Sequence, residues 1–155
     1  MNGEQISRAL SADRAARRTF LGVFAKDNIP RLPRDPKKYP VSFVVNTDTL
    51  REPGEHWTAV YYTSPNVGEF LDSYGRAPHA LGFTRKRLSG IKRWNKIKLQ
   101  SVYSRVCGQY CVAFIALRAR ARASSAAVFT TSNGFHPNTP ERNDAAVVKL
   151  LCSVS

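Results

Sequence analysis

Cysteine is scarce in this chain, and what there is does not pair off. The three thiols fall at Cys107, Cys111 and Cys152. An odd count, with two of them on one predicted helix, argues against a disulfide framework and for a reducing, intracellular setting rather than secretion. Zinc-site spacing is missing as well. Neither C-x3-C nor three scattered histidines provides it, so the sequence requires no metal or other cofactor. Long apolar runs are also absent. None approaches the ~18–20 residues needed to span a bilayer, and the N-terminus MNGEQISRAL has no apolar core of a signal peptide. The expectation is a soluble protein with no membrane partner. Acid is the last shortage: 11 Asp and Glu stand against 24 Lys and Arg, a net charge of +13. That imbalance favours a polyanionic partner, nucleic acid first, through phosphate neutralisation and counterion release.

What is present is an ordinary globular composition, 43% hydrophobic and 23% charged, in 155 residues, enough for a single domain over 1–155. Residues 3–20 predict a helix, with an interruption or second cap at Ser11–Ala12–Asp13. The segment 29–40 (IPRLPRDPKKYP), dense in proline and basic residues, predicts a surface connection. VSFVVN (41–46) is a short β-branched run of the kind found in buried strands. WTAVYYT (57–63) and VGEFLDS (67–73), joined by Ser-Pro-Asn, predict two antiparallel strands. In the basic stretch 85–98 the pattern predicts a helix ending at Gly90, then a strand over 96–103. From Cys107 to about Arg122 the apolar positions are dense enough for a largely buried helix, and a last helix is expected near Arg142 to Leu151. Mixed helices and strands without strict alternation predict the α+β class.

Four residues stand in an order that suits acyl transfer: His56, Asp72, Gln100 and Cys107. His56 opens one predicted strand and Asp72 closes the next, so a tight turn brings them to one sheet edge. The acid can then fix the imidazole tautomer and leave the other ring nitrogen for a thiol. At a helix start, the backbone N–H groups and helix dipole stabilise a Cys107 thiolate. Gly108 leaves the backbone open for substrate, and Gln100 offers an amide donor to an oxyanion. Taken singly, each has a plainer reading: a packed thiol, a capping histidine, a turn aspartate, an outward glutamine. The joint arrangement is what points to a nucleophile, base, orienting acid and oxyanion donor.

Several stretches then carry a resemblance. FLG (20–22), a loop containing proline and lysine, VVNT (44–47) and GEHW (54–57) come in order, followed by FLDSYG (70–75), Gln100 and CGQYC (107–111). Together they resemble the adenovirus protease (adenain) family of cysteine peptidases, which is related to the SUMO-specific proteases, over about Phe20 to Leu117. The resemblance implies a papain-like α+β fold: a central mixed sheet flanked by helices, with histidine preceding cysteine and the cysteine at the N-terminus of a buried helix. It implies that Cys107 attacks a peptide carbonyl, that His56 takes the thiol proton and delivers it to the leaving amine, and that Asp72 orients His56. It also implies that Gln100 shares the oxyanion with the backbone N–H of Cys107. Implied substrates are virion precursor proteins, with DNA as a stimulating partner, in the virion and host nucleus, or elsewhere inside a cell for a transposon or host protein. The chain is shorter than the adenovirus enzymes. It also has no cysteine before Cys107, so a disulfide-linked activating peptide is not supported. A monomer is expected.

The basic stretch supplies the expected DNA contacts: Arg85, Lys86, Arg87, Lys92, Arg93 and Lys96, with Arg118, Arg120 and Arg122 as a second patch. Trp57 is expected as a wall beside His56, and Cys111 and Cys152 as core. A competing assignment uses His136 and Asn143 with Cys107, in the Cys–His–Asn order of papain-like enzymes. Two other functions remain in view. One is an isopeptidase acting on ubiquitin-like modifiers; the other is a basic nucleic-acid-binding protein whose Cys107 is structural.

Overall fold

The structure, a computed structural model, describes residues 1–120 and 134–154. Helix α1 (Gly3–Ala12) starts at a capping box in which Asn2 and Gln5 satisfy each other's backbone N–H groups. It ends where Asp13 turns its carboxylate onto the N–H groups of Ala15 and Ala16. The predicted helix over 3–20 is thus cut at its expected interruption, and its last residue already belongs to strand β1 (Phe20–Phe24). Strands β2 (Val41–Asn46), β3 (Trp57–Ser64) and β4 (Val67–Leu71) follow their predicted spans closely. Strand β5 is Ile91–Trp94. Helix α2 (Cys107–Ala119) and helix α3 (Pro140–Val154) complete the elements among the described residues.

The strands form one mixed sheet in the order β1-β2-β3-β4-β5. The β2–β3–β4 meander is antiparallel, and each outer strand joins it in parallel. Side chains alternate across the sheet. Val44, Ala59, Tyr61 and Leu71 face a core built with α1, α2 and α3. Val41, Phe43, Val45, Val60, Tyr62 and Phe70 face the other side, covered by Phe83, Leu88 and the loop residues Ile29, Leu32 and Tyr39. Each fully buried Phe or Leu contributes about 1.5–3 kcal/mol. Two-sided burial explains why β2 is buried at every position. The expectation of an α+β domain with a mixed sheet holds, with the helices gathered against one face. At Gly68, a Cβ would meet the Tyr62 ring at 2.5 Å, so only glycine lets that ring lie across the ladder.

Two expectations in the basic stretch fail. No helix ends at Gly90; residues 84–90 make turns, and the left-handed Gly90 (φ +73°) instead abuts the Asn66 backbone. The predicted strand over 96–103 is irregular chain, because Asn95 closes the ladder early. Its amide accepts from Asp72 N–H and donates to the carbonyls of Asp72 and Ile97, standing in for a strand neighbour. The strand lies upstream at β5, whose exposed Lys92 and Arg93 hide it in the sequence. Cys152 is exposed rather than core, on the outer side of α3.

Candidate active site

His56 immediately precedes β3 and Asp72 immediately follows β4, so the meander brings them to the same end of the sheet. His56 Nε2 lies 2.6 Å from Asp72 Oδ1, and the Asp72 side chain is fully buried. The acid is heavily held. Its Oδ2 accepts from the backbone N–H (2.9 Å) and Nε (2.8 Å) of Arg76, and its Oδ1 accepts from the Tyr74 N–H. The D-S-Y-G turn that makes this possible needs Gly75: its φ is +75°, and a Cβ would meet the Ile97 carbonyl carbon at 2.8 Å. The Tyr74 ring packs at 5.0 Å from the imidazole, and the Arg76 guanidinium stacks on that ring.

Cys107 is the first residue of α2, after a Val106 N-cap that offers no side-chain bond to the helix. It lines the same cleft as His56 and Trp57, where the thiol feels the His56 imidazole and the backbone N–H groups of Trp57 and Gly108. Since Nε2 of His56 is committed to Asp72, Nδ1 is the nitrogen left for the thiol. Burial pushes the Cys107 thiol pKa up, but the His56 imidazole and the two backbone N–H groups outweigh it, and the net shift is down. For His56, burial pulls the pKa down while the bonds to Asp72 and Cys107 raise it, with a net rise. Asp72 shows the opposite balance: burial raises it, and His56 and Arg76 hold it below the ordinary carboxylate value. All three shifts favour a thiolate beside an imidazolium backed by a carboxylate, titrating as a coupled set.

Gln100 joins the same cleft by means the sequence did not advertise. Its Oε1 accepts from Ser73 Oγ (2.7 Å) and its Nε2 donates to the Ser104 carbonyl (3.0 Å). The amide is fixed at both ends, with a second Nε2 hydrogen to spare. Its backbone N–H and that of Leu99 bond the Ser73 carbonyl, tying the Gln100 loop to the turn that carries Asp72. From the other side, α3 holds the loop. Asp144 accepts from Ser101 N–H and Tyr110 Oη, and Asn143 donates to the Leu99 carbonyl. Ser73, Asn95, Arg76 and Asp144 are the supporting residues that sequence reasoning missed. Only the short D-S-Y-G-R turn carried a readable hint of them.

The cleft holds about 690 Å³ and is lined by Met1, Pro53, Gly54, Glu55, His56, Trp57, Tyr74, Arg76, Gln100, Ser104, Arg105 and Cys107. Trp57 does form a wall, with its Nε1 donating to the Met1 carbonyl. Gly108 plays a different part from the expected one. A Cβ there would come within 3.0 Å of Met1 and 3.1 Å of Ile6, so the missing side chain admits α1, not substrate. Cys111, one turn on, is buried in the core as expected.

The competing assignment does not come together. Asn143 spends its amide on the backbone of His136 and Leu99, and His136 is exposed. His79 is exposed in a short turn away from the cleft. Among the basic residues, Arg85, Lys86, Arg87, Lys92, Arg93 and Lys96 are all exposed. The second patch fails as an open surface. Arg118 is largely buried, bonded through two nitrogens to Glu69 and stacked on Tyr61, and Arg120 is paired with Asp13. Arg122 lies outside the described residues. Among the described residues no cluster of His, Cys, Asp and Glu could hold a metal ion. No family model matches the chain, and a search of curated proteins finds no match. The family resemblance therefore rests on the motifs themselves.

Proposed function

We propose that the chain is a cysteine endopeptidase that cleaves precursor proteins of a virus or virus-like genetic element, with DNA as a stimulating partner. The observation that carries this reading is the imidazole of His56, bonded to the buried Asp72 and sharing one cleft with the Cys107 thiol at the start of α2. In this reading the Cys107 thiolate adds to the scissile carbonyl, and the oxyanion that forms is met by the spare Gln100 N–H and the backbone N–H of Cys107. The His56 imidazolium gives its proton to the departing amine, leaving an acyl-thioester. Water, deprotonated by His56, then cleaves the thioester and restores the thiol. Asp72 holds the imidazole tautomer and supports its positive form throughout.

Support for a DNA partner comes from the opposite end of the sheet. A groove of about 760 Å³ beside the β3–β4 turn is lined by Arg31, Arg34, Lys86 and Arg87, with Tyr39 and no acidic side chain. Strand β3 separates it from the cleft by ~26 Å, at 3.3 Å per residue over eight residues.

The test is hydrolysis of fluorogenic peptides with a glycine-containing cleavage site, by wild type and by Cys107→Ala, with and without duplex DNA. Hydrolysis that depends on Cys107 and rises with DNA is expected. Activity that survives Cys107→Ala, or none in the wild type, overturns the reading. Rapid labelling of Cys107 by ubiquitin-type vinyl sulfone probes, without peptide hydrolysis, would move the assignment to an isopeptidase.

A further inference from the structure

The cleft carries two charges that the chemistry above does not use. Arg105 lies two residues before Cys107, on the α2 side, and Glu55 directly precedes His56, on the β3 side. Both are exposed, and neither takes part in any ion pair among the described residues. The other arginine of the cleft is different: Arg76 is spent on Asp72.

The backbone under each charge is anchored. On the Glu55 side, Asp48 Oδ2 accepts from the N–H groups of both Gly54 and Glu55, while Asp48 N–H donates to Asn46 Oδ1 at the end of β2. On the Arg105 side, Ser104 is held by the Gln100 amide and by its own bond to the Ser101 carbonyl, and Ser101 is gripped by Asp144 and Glu141 of α3. A guanidinium and a carboxylate on fixed walls of one cleft, each without an ion-pair partner among the described residues, are placed to meet charges on a bound chain. A guanidinium prefers a carboxylate, which it can bind through two nitrogens.

Building on the peptidase reading, we infer that Arg105 and Glu55 set substrate choice. The preferred polypeptide places an acidic side chain against Arg105 and a basic one against Glu55, both within a few residues of the scissile bond. Neither residue touches the reacting atoms; they act on which chains settle in the cleft. Their removal therefore falls mainly on KM for charged substrates and leaves the pH profile of kcat in place.

The experiment is digestion of a proteome-derived peptide library by the full chain, with cleavage sites read by mass spectrometry, for wild type, Arg105→Glu, Arg105→Ala and Glu55→Lys. Internally quenched peptides, differing only in Asp, Asn or Lys at the enriched positions, then give kcat/KM. Wild type is expected to enrich Asp or Glu at one position and Lys or Arg at another. Arg105→Glu should invert the first preference and Glu55→Lys the second, each by about 5-fold in kcat/KM, the upper end for an exposed ion pair. Arg105→Ala, which adds no charge, should flatten the acidic preference. Cys107-dependent cleavage with no charge preference, or with preferences that survive both reversals, overturns this inference and leaves the peptidase reading standing. No Cys107-dependent cleavage of any peptide overturns both.

Discussion

Cys107 and Cys111 sit one turn apart on α2, and their thiols are pushed in opposite directions. Exposure hardly separates them: 9% of the Cys107 surface is accessible and 1% of Cys111. Burial raises both thiols. In the first turn, that push is reversed by the His56 imidazole and the N–H groups of Trp57 and Gly108. In the second turn nothing reverses it. Cys111, held in the apolar core, is raised well above the ordinary thiol value, and the negative charges of Cys107 and Asp72 add to the push. What separates the two turns is the end of the β3–β4 hairpin, which brings an imidazole and the Trp57 N–H to one sulfur and not to the other, together with the Gly108 N–H of the helix start.

The sharpest way to break this contrast is to remove each thiol. Cys107→Ala should lower kcat on the order of 10⁴-fold or more. Cys111→Ala should keep activity and cost about 1–2 kcal/mol of stability through the cavity it leaves, read by chemical denaturation. Equal activity losses in the two variants would erase the distinction.

Next come the groups that make the first turn special. Asp72→Asn should reduce kcat on the order of 10²–10⁴-fold, with the fold kept by circular dichroism, because the imidazole loses its orienting anion. Gln100→Ala should cost on the order of 10²–10³-fold in kcat, because it removes an oxyanion donor whose orientation Ser73 and Ser104 fix.

The pH profile sharpens the comparison further. Activity should rise with pH through the Cys107 ionisation, which lies below its ordinary value, and fall as the imidazolium deprotonates above its ordinary value of ~6.5. Both limbs belong to the coupled pair. The smallest effect is expected from Arg76→Ala. Losing that guanidinium lets the Asp72 carboxyl drift upward. Since a lowered folded pKa adds stability above the unfolded ~3.9 that is lost as pH falls through the folded value, the variant should lose stability at a higher pH on acid titration.

The strands that bear the site were legible because each is bounded by turn residues and carries a buried face: VSFVVN, WTAVYYT and VGEFL read directly. Helix α2 was legible for a related reason, being apolar nearly all round. The outer strands were not. Strand Phe20–Phe24 begins on the last residue of the helix predicted over 3–20, and Ile91–Trp94 carries exposed Lys92 and Arg93 on an edge that needs no alternation. The site divided in the same way. His56, Asp72, Gln100 and Cys107 stood out by type and order, whereas Ser73, Asn95 and Asp144 act through single side-chain bonds to backbone or amide that leave no periodic trace. Gly108 was misassigned to substrate because its contact with Met1 and Ile6 depends on where α1 docks. Arg118 was placed on a surface because its partner Glu69 lies 49 residues away in the chain.

The most direct test of the central claim is the alkylation rate of Cys107 by iodoacetamide against pH, in a Cys152→Ser background that removes the exposed thiol, with and without His56→Ala. The site of labelling is read by peptide mass spectrometry, and Cys111 serves as the internal comparison. The account predicts a Cys107 that reacts with an apparent pKa below the ~8.5 of a free thiol, a rise toward or above that value in His56→Ala, and a Cys111 that stays unlabelled in the folded protein. A Cys107 that resists alkylation at neutral pH, or one whose profile does not move when His56 is removed, would contradict it.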